Sequence, residues 1–467
     1  MQQTSNSSQN IVFKFLLASL LVYALMGVFS GVPASADFTA FIAGLVILFA
    51  GLVGLLAFGW YAVVKPLPAH LTPSKNLPLT RGLRQGVALA LTLLNTVGII
   101  GGLWDVTWHV RSGLPFGEDF FWEPHQFIYV ALLVPILIGA FLWVRVLRNS
   151  TGTLRQRLKA DIPVTLIIVG SMLSLFTLPA DPLWHFLYGE DLTGMSVPHL
   201  VFSVSSTITA VGVLSILLSY TPARKTWASI LKLSRLELLI VFSLALMFVS
   251  LLIPMLGDWE AVVLAADTLP RLPALVEARP DWALPFLAAF AALFPTTMAL
   301  HITKRFGTAT SLWLIAAVVR SGSFLMLGYG DTGLSTMLLT LPLVIALDIA
   351  VWYRVSRGQA ISPIFTALVV TVVGTVALLP QIPLWFTDPI LSTGNVPLMI
   401  PALFVGALVS TWMAGQLGEV VANTPRFAQP AEQPIIVRSA ARVVSVAAVV
   451  IAVIAAFFIV TSTMPGA

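Results

Sequence analysis

Runs of about twenty apolar residues follow one another along nearly the whole chain, and that pattern decides most of what it can fold into. A bilayer offers the backbone no water, so each run must satisfy its own N–H and C=O groups in a helix. The runs lie near 11–31, 38–64, 86–104, 125–144, 163–180, 199–219, 238–256, 284–302, 309–328, 333–353, 363–380, 397–417 and 443–463. They predict an all-α, polytopic transmembrane helical bundle of about 13 spans in a lipid bilayer. Charged residues make up 10% of the chain, where a soluble domain carries roughly a quarter. The first run lacks the basic segment and small-residue cleavage site of a signal peptide, and reads as a retained helix.

Lys and Arg collect in alternate loops. One side holds 21 of the 25, and the other holds Arg111, Arg271 and Arg279, with Arg320 inside a span. By the positive-inside rule the N-terminus is cytoplasmic and the chain sits in the cell membrane. The same placement accounts for the net charge of +5, so no nucleic-acid partner is called for. Most carboxylates fall on the extracytoplasmic side, which should attract cations. The chain divides into an N-terminal two-span segment with its loop (1–84), a metal-binding core of helix pairs (85–220) and a C-terminal seven-span region (221–467). There is no Cys, which excludes disulfides, iron–sulfur clusters and thiolate ligands, so a metal would be held by His, carboxylate, Met or backbone oxygen.

Four of the six His fall in two similar blocks on the extracytoplasmic side. In the first, Asp105, Trp108 and His109 are followed by Pro124 and His125. In the second, Asp181, Trp184 and His185 are followed by Pro198 and His199. Both read Asp-x-x-Trp-His, then a loop, then Pro-His at the head of the next span, an internal repeat of about 76 residues. Chance supplies roughly 0.004 further Asp-x-x-Trp-His matches in a chain of this composition, so coincidence is a poor explanation. Positions i and i+4 share a helix face, so Asp105 with His109, and Asp181 with His185, can converge on one point. Pro before His125 and His199 favours a helix start that aims the third ligand at the same level. Two imidazoles and a carboxylate suit copper(II), zinc or non-haem iron(II). Interfacial anchoring explains Trp and His taken singly, and capping explains Asp181 before Pro182, but neither predicts the recurring set.

At these residues the chain resembles the C subunit of the copper membrane monooxygenases, the family of particulate methane monooxygenase and ammonia monooxygenase. That subunit carries Asp-x3-His-x12-His and, some 70 residues on, Asn-x3-His-x13-His, often with Trp before the first His and Pro before the last. Here the blocks are Asp105-x3-His109-x15-His125 and Asp181-x3-His185-x13-His199. The first loop is three residues longer, and Asp181 stands where the family has Asn. The resemblance covers about residues 85–220; the family's subunit is much shorter than this chain. It implies a copper-dependent monooxygenase subunit that hydroxylates ammonia, methane or a short alkane with dioxygen, with quinol or another electron donor. Cupredoxin-like and other monooxygenase subunits would be partners, in a homo- or hetero-oligomer. Asp105, His109 and His125 would form one copper site, and Asp181, His185 and His199 the other, with Trp104, Trp108, Trp122 and Trp184 as an apolar rim, either a hydrophobic substrate path or a redox-protective aromatic shell, or as interfacial anchors. Iron or zinc in the same sites stays open.

A second function stays open too: an outer-facing membrane protein that binds or transports copper or another divalent ion. A transporter needs ligands at successive depths, whereas these lie on one side. Elsewhere, Arg320 and Asp348 lie within spans and are expected to pair, because a lone charge there is costly. His301 is expected at an interface beside Lys304, and His70 in a loop without ligand function. Glu123 and Glu190 read as solvated loop acids or as extra ligands; Gln381 and Asp388 lie near the extracytoplasmic surface.

Overall fold

A computed structural model describes residues 38–112, 123–188, 197–222, 226–229, 233–265, 282–328, 332–378, 381 and 396–425. The expected spans at 11–31 and 443–463, together with Trp122, Glu190 and Asp388, lie outside these residues. Helix α1 (Phe38–Gly59) runs into a π-helical stretch, Trp60–Val64. It is followed by α2 (Arg81–Ser112), α3 (Glu123–Asn149), a short α4 (Leu154–Lys159), α5 (Ile162–Tyr188) and α6 (Val197–Leu218). Then come α7 (Arg235–Ala265), α8 (Ala283–Thr303), α9 (Thr308–Met326), α10 (Thr332–Ser356), α11 (Pro363–Leu378) and α12 (Val396–Ala422). One parallel strand pair, β1 (Ala228–Ser229) with β2 (Arg305–Phe306), is the exception to helix among the described residues. Nine helices there are long and apolar enough to cross a membrane. The expected runs 38–64 and 363–380 form α1 with its π-helical end and the shorter α11. The chain is an all-α, multi-pass membrane protein.

Helix α8 is the axis of the C-terminal half, apolar on all sides and buried almost throughout, as a helix surrounded by other helices must be. It packs closely against α12 because glycines remove the side chains between them. A Cβ on Gly406 would lie 2.6 Å from the Phe286 carbonyl oxygen, and one on Gly418 would lie 3.2 Å from that of Met298. Small residues at the contact are the usual solution where lipid gives helices no hydrophobic reason to associate. Helix α7 joins the halves, touching α2 and α6 on one side and α8 and α9 on the other.

At the end of the bundle where α2 starts, basic side chains hold the loops. Arg155 donates to the carbonyls of Lys65 and Pro66 (2.6 Å each), and Lys159 to that of Val63 (2.7 Å), satisfying acceptors left by the end of the π-helical stretch. Glu237 and Ser234 form a capping box at the head of α7, and the same carboxylate receives Arg305 at 3.1 and 3.2 Å. Arg84 is paired with Asp161, both buried.

Burial, with Arg155 nearby, lowers the Lys159 ammonium to about 8. Its folded value lies below the unfolded one, so the unfolded chain binds the extra proton between about pH 8 and 10.5. Stability therefore rises with pH across that window. Lys159→Met should flatten the rise: the difference between wild-type and variant melting temperatures should change between pH 8 and 10 and stay constant between pH 6 and 7.

Candidate metal centre

The site is built at the other end of the bundle, where α2 turns into α3 and α5 turns into α6. Gly101 sets the first turn. A Cβ there would lie 2.8 Å from the Phe127 Cβ and 3.1 Å from the Pro124 carbonyl oxygen, so the bare glycine lets α2 meet the head of α3 backbone to backbone. One helical turn beyond Gly101 stands Asp105, and one residue beyond Pro124 stands His125. The His125 Nε2 lies 2.8 Å from Asp105 Oδ1, and each side chain is 14% exposed. Trp104, next to Asp105 in the chain, is buried and edge-on to Phe127 with centroids 5.9 Å apart.

A second pair joins the later part of α5 to the head of α6. Gly170 and Gly212 let α5 and α6 approach; a Cβ on Gly212 would lie 2.9 Å from the Pro163 carbonyl oxygen. His199, like His125 the third residue of its helix, places Nε2 3.6 Å from Asp181 Oδ1. This pair is more open, with His199 38% and Asp181 36% exposed. Trp184 is buried beneath it. Trp104 and Trp184 are thus core residues and not interfacial anchors; an indole this large fills space between closely packed helices.

The two pairs border one region. Tyr129, one turn after His125 and 6.1 Å from it between ring centroids, lies in the electrostatic field of both Asp105 and Asp181. Asp105 and His199, one member of each pair, line a single cavity of about 250 Å³. Its far wall comes from α7, including Ser243, Met247 and Ser250, so residues 85–220 do not enclose it alone. Tyr129 and the α7 wall were not singled out in the sequence. Tyr129 had a signal, its i+4 relation to His125; the α7 contribution is a long-range packing result.

The expected third ligands, His109 and His185, sit on the helical backbones of α2 and α5, one turn beyond Asp105 and Asp181, and their side chains lie outside the described residues. Among the described residues no group of three or more His, Cys, Asp or Glu is assembled. The donors that are described fit a metal. Two ligands each ~2.0–2.2 Å from one ion stand no more than about 4.4 Å apart, and the separations of 2.8 and 3.6 Å are within that limit. An imidazole nitrogen beside a carboxylate oxygen is a donor set that copper(II), zinc and iron(II) accept.

Other expectations are corrected. The Asp348 Oδ2 accepts from the Thr310 N–H (2.8 Å) and hydroxyl (2.7 Å) at the head of α9. It does not pair with Arg320, which stands ten residues, about 15 Å of helical rise, further along α9. The Arg320 guanidinium is buried over the Phe324 ring at 5.3 Å. His301, in the last turn of α8 near Lys304, is largely buried against Gly415 and Gly418, with Nδ1 3.7 Å from Glu419, so it packs α8 on α12. Glu123 is half-buried in the first turn of α3, where a carboxylate complements the helix dipole. Gln381 donates to the Ala377 carbonyl, and His70 is exposed in its loop. Comparison of the chain with protein-family models, curated proteins and solved structures gives no significant match.

Proposed function

We propose that the chain is a membrane-bound copper-dependent monooxygenase subunit, related to the C subunit of the methane and ammonia monooxygenases. The observation that carries this reading is the paired geometry: a carboxylate near the end of one helix closes on an imidazole at the head of the next, twice, beside one cavity. Asp105, His109 and His125 would hold one copper ion, and Asp181, His185 and His199 the other. Bound copper supplies Lewis-acid and one-electron chemistry toward dioxygen. The protein's part is to orient and shield. Gly101 fixes the distance between Asp105 and His125, and buried Trp104 and Trp184 keep water from beneath the pairs. Tyr129 adds a phenol beside His125, in the field of both carboxylates.

The orientation goes with this reading. The basic clamps of Arg155, Lys159 and Arg305 lie at the end opposite the pairs, which supports a cytoplasmic N-terminus and extracytoplasmic metal sites in the cell membrane. A total of about 13 spans follows if 11–31 and 443–463 also cross. The described residues form helices and no soluble cupredoxin-like domain, and in this reading a second subunit would deliver copper or electrons from quinol.

Membranes carrying the chain with its partner subunits, supplied with a quinol and dioxygen, should hydroxylate ammonia or a short alkane. Asp105→Ala should lower that rate by more than about a hundredfold, since even groups that merely orient a metal ligand are worth ten- to a hundredfold. Metal bound by wild type with no oxygen uptake under any donor would move the assignment to metal binding or transport.

A further inference from the structure

The cavity beneath the pairs has a shape of its own. Helices α2, α6 and α7 each line it over the same length, residues 91–105, 199–213 and 243–257, about 21 Å at 1.5 Å per residue. A volume of about 250 Å³ spread over that depth makes a slender slot. Its charge is confined to one end: among the lining residues Asp105 is the one carboxylate and His199 the one imidazole, both at the end beside the pairs. The other, inner end is lined by Leu91, Val213, Leu246 and Met247.

Several hydroxyls along the slot donate to the protein itself. Thr92 donates to the Ala88 carbonyl (2.9 Å), Ser203 to that of His199 (3.0 Å), Thr207 to that of Ser203 (2.8 Å) and Ser243 to that of Leu239 (2.9 Å). Ser250 donates to the Asn95 side-chain oxygen at 3.3 Å. These five protons are spent on the protein, and most of the wall between them is aliphatic. Such a wall offers carbon, and it recognises a guest by shape and dispersion.

We propose that the slot takes one unbranched aliphatic chain of medium length, as the alkane or its primary alcohol, with one end at Asp105 and His199. This deepens the monooxygenase reading by naming a substrate class, and rests on it only for what happens at the mouth. Two sources supply such a chain, a free hydrocarbon or alcohol and an acyl tail of the bilayer.

The test is photolabelling of the purified full chain in nanodiscs with primary alcohols of six to fourteen carbons carrying a terminal diazirine, read by peptide mass spectrometry. Labels should appear on the inner parts of α2, α6 and α7, near Leu91, Val213 and Met247. Unlabelled alcohols should compete about fourfold better per added methylene until the slot is full, and no better thereafter. Gly102 lines the slot one turn below Asp105, and a Cβ there would meet Ile253 at an ordinary 3.7 Å. Gly102→Leu should therefore lower inner labelling more than tenfold. Ala210→Phe, nearer the inner end, should shorten the longest chain accepted, and it decides the matter if Gly102→Leu fails to fold. A phospholipid with the diazirine in one acyl chain that marks the same residues identifies the bilayer as the source; marking by the alcohol alone identifies a free chain. Labels restricted to outward-facing residues such as Val130 and Leu137, or unchanged in both variants, overturn the proposal. Chain labelling without hydroxylation counts against the oxygenase and leaves the slot standing, whereas hydroxylation of ammonia without chain labelling does the reverse.

Discussion

Replacing Asp161 with alanine is expected to lower the stability of the bundle by about 3–5 kcal/mol, the range for breaking a buried ion pair from one side. Arg84 and Asp161 are 3% and 2% exposed, so neither charge has water to fall back on. Asp161 also caps α5, accepting from the Val164 N–H at 3.4 Å, where its charge faces the positive end of the helix. The substitution removes the cap and leaves a guanidinium in the core beside Arg81, which itself lies over the Tyr220 ring at 5.1 Å. Asp161→Asn keeps the capping oxygen and should cost less. Adding Arg84→Met to it should restore at least half of the loss, because the stranded charge goes as well. Thermal unfolding in one fixed detergent, for wild type, both single variants and the double, measures each term. A double variant no more stable than Asp161→Asn alone would mean that the stranded charge is not the main cost.

Gly101→Val is expected to lower stability by about 1–3 kcal/mol, the usual cost of overpacking, and also to separate Asp105 from His125. The backbone of α3 stands where the new side chain must go, with the Ile128 nitrogen and the Pro124 oxygen each 3.1 Å from a Cβ at this position. Backbone cannot rotate out of the way, so the head of α3 must move. His125 rides on it, and a 2.8 Å contact does not survive an ångström of displacement in the wrong direction. Metal affinity of the first pair should fall by at least about tenfold, with the second pair unaffected. Gly102→Ala, one position along and in open contact, is the control that should change neither.

Helix positions were legible from the sequence because a bilayer permits the backbone little else: each of the eleven apolar runs that falls among the described residues lies on a helix. The facing of Asp105 to His125 and of Asp181 to His199 was legible too, since Pro-His at a helix head and Asp near the end of its neighbour leave the pair at one level. Depth along separate helices was not. Asp348 seemed a partner for Arg320 because both charges fall within adjacent spans, but the start of α9 offers Asp348 the Thr310 donors at its own level. For Trp104 and Trp184 the sequence left a shell and an interfacial anchor both open, and only the packing of neighbouring helices decides that these two point inward. The slot was invisible because its third wall, α7, lies far along the chain from the motifs.

Copper content and electron paramagnetic resonance of the purified chain test the centre most directly, on wild type, His125→Ala and His199→Ala. Two coppers per chain in wild type, and one in each variant with a different resonance lost in each, are the expected results. Copper content unchanged in both variants, with folding intact, would contradict the assignment of these pairs as metal sites.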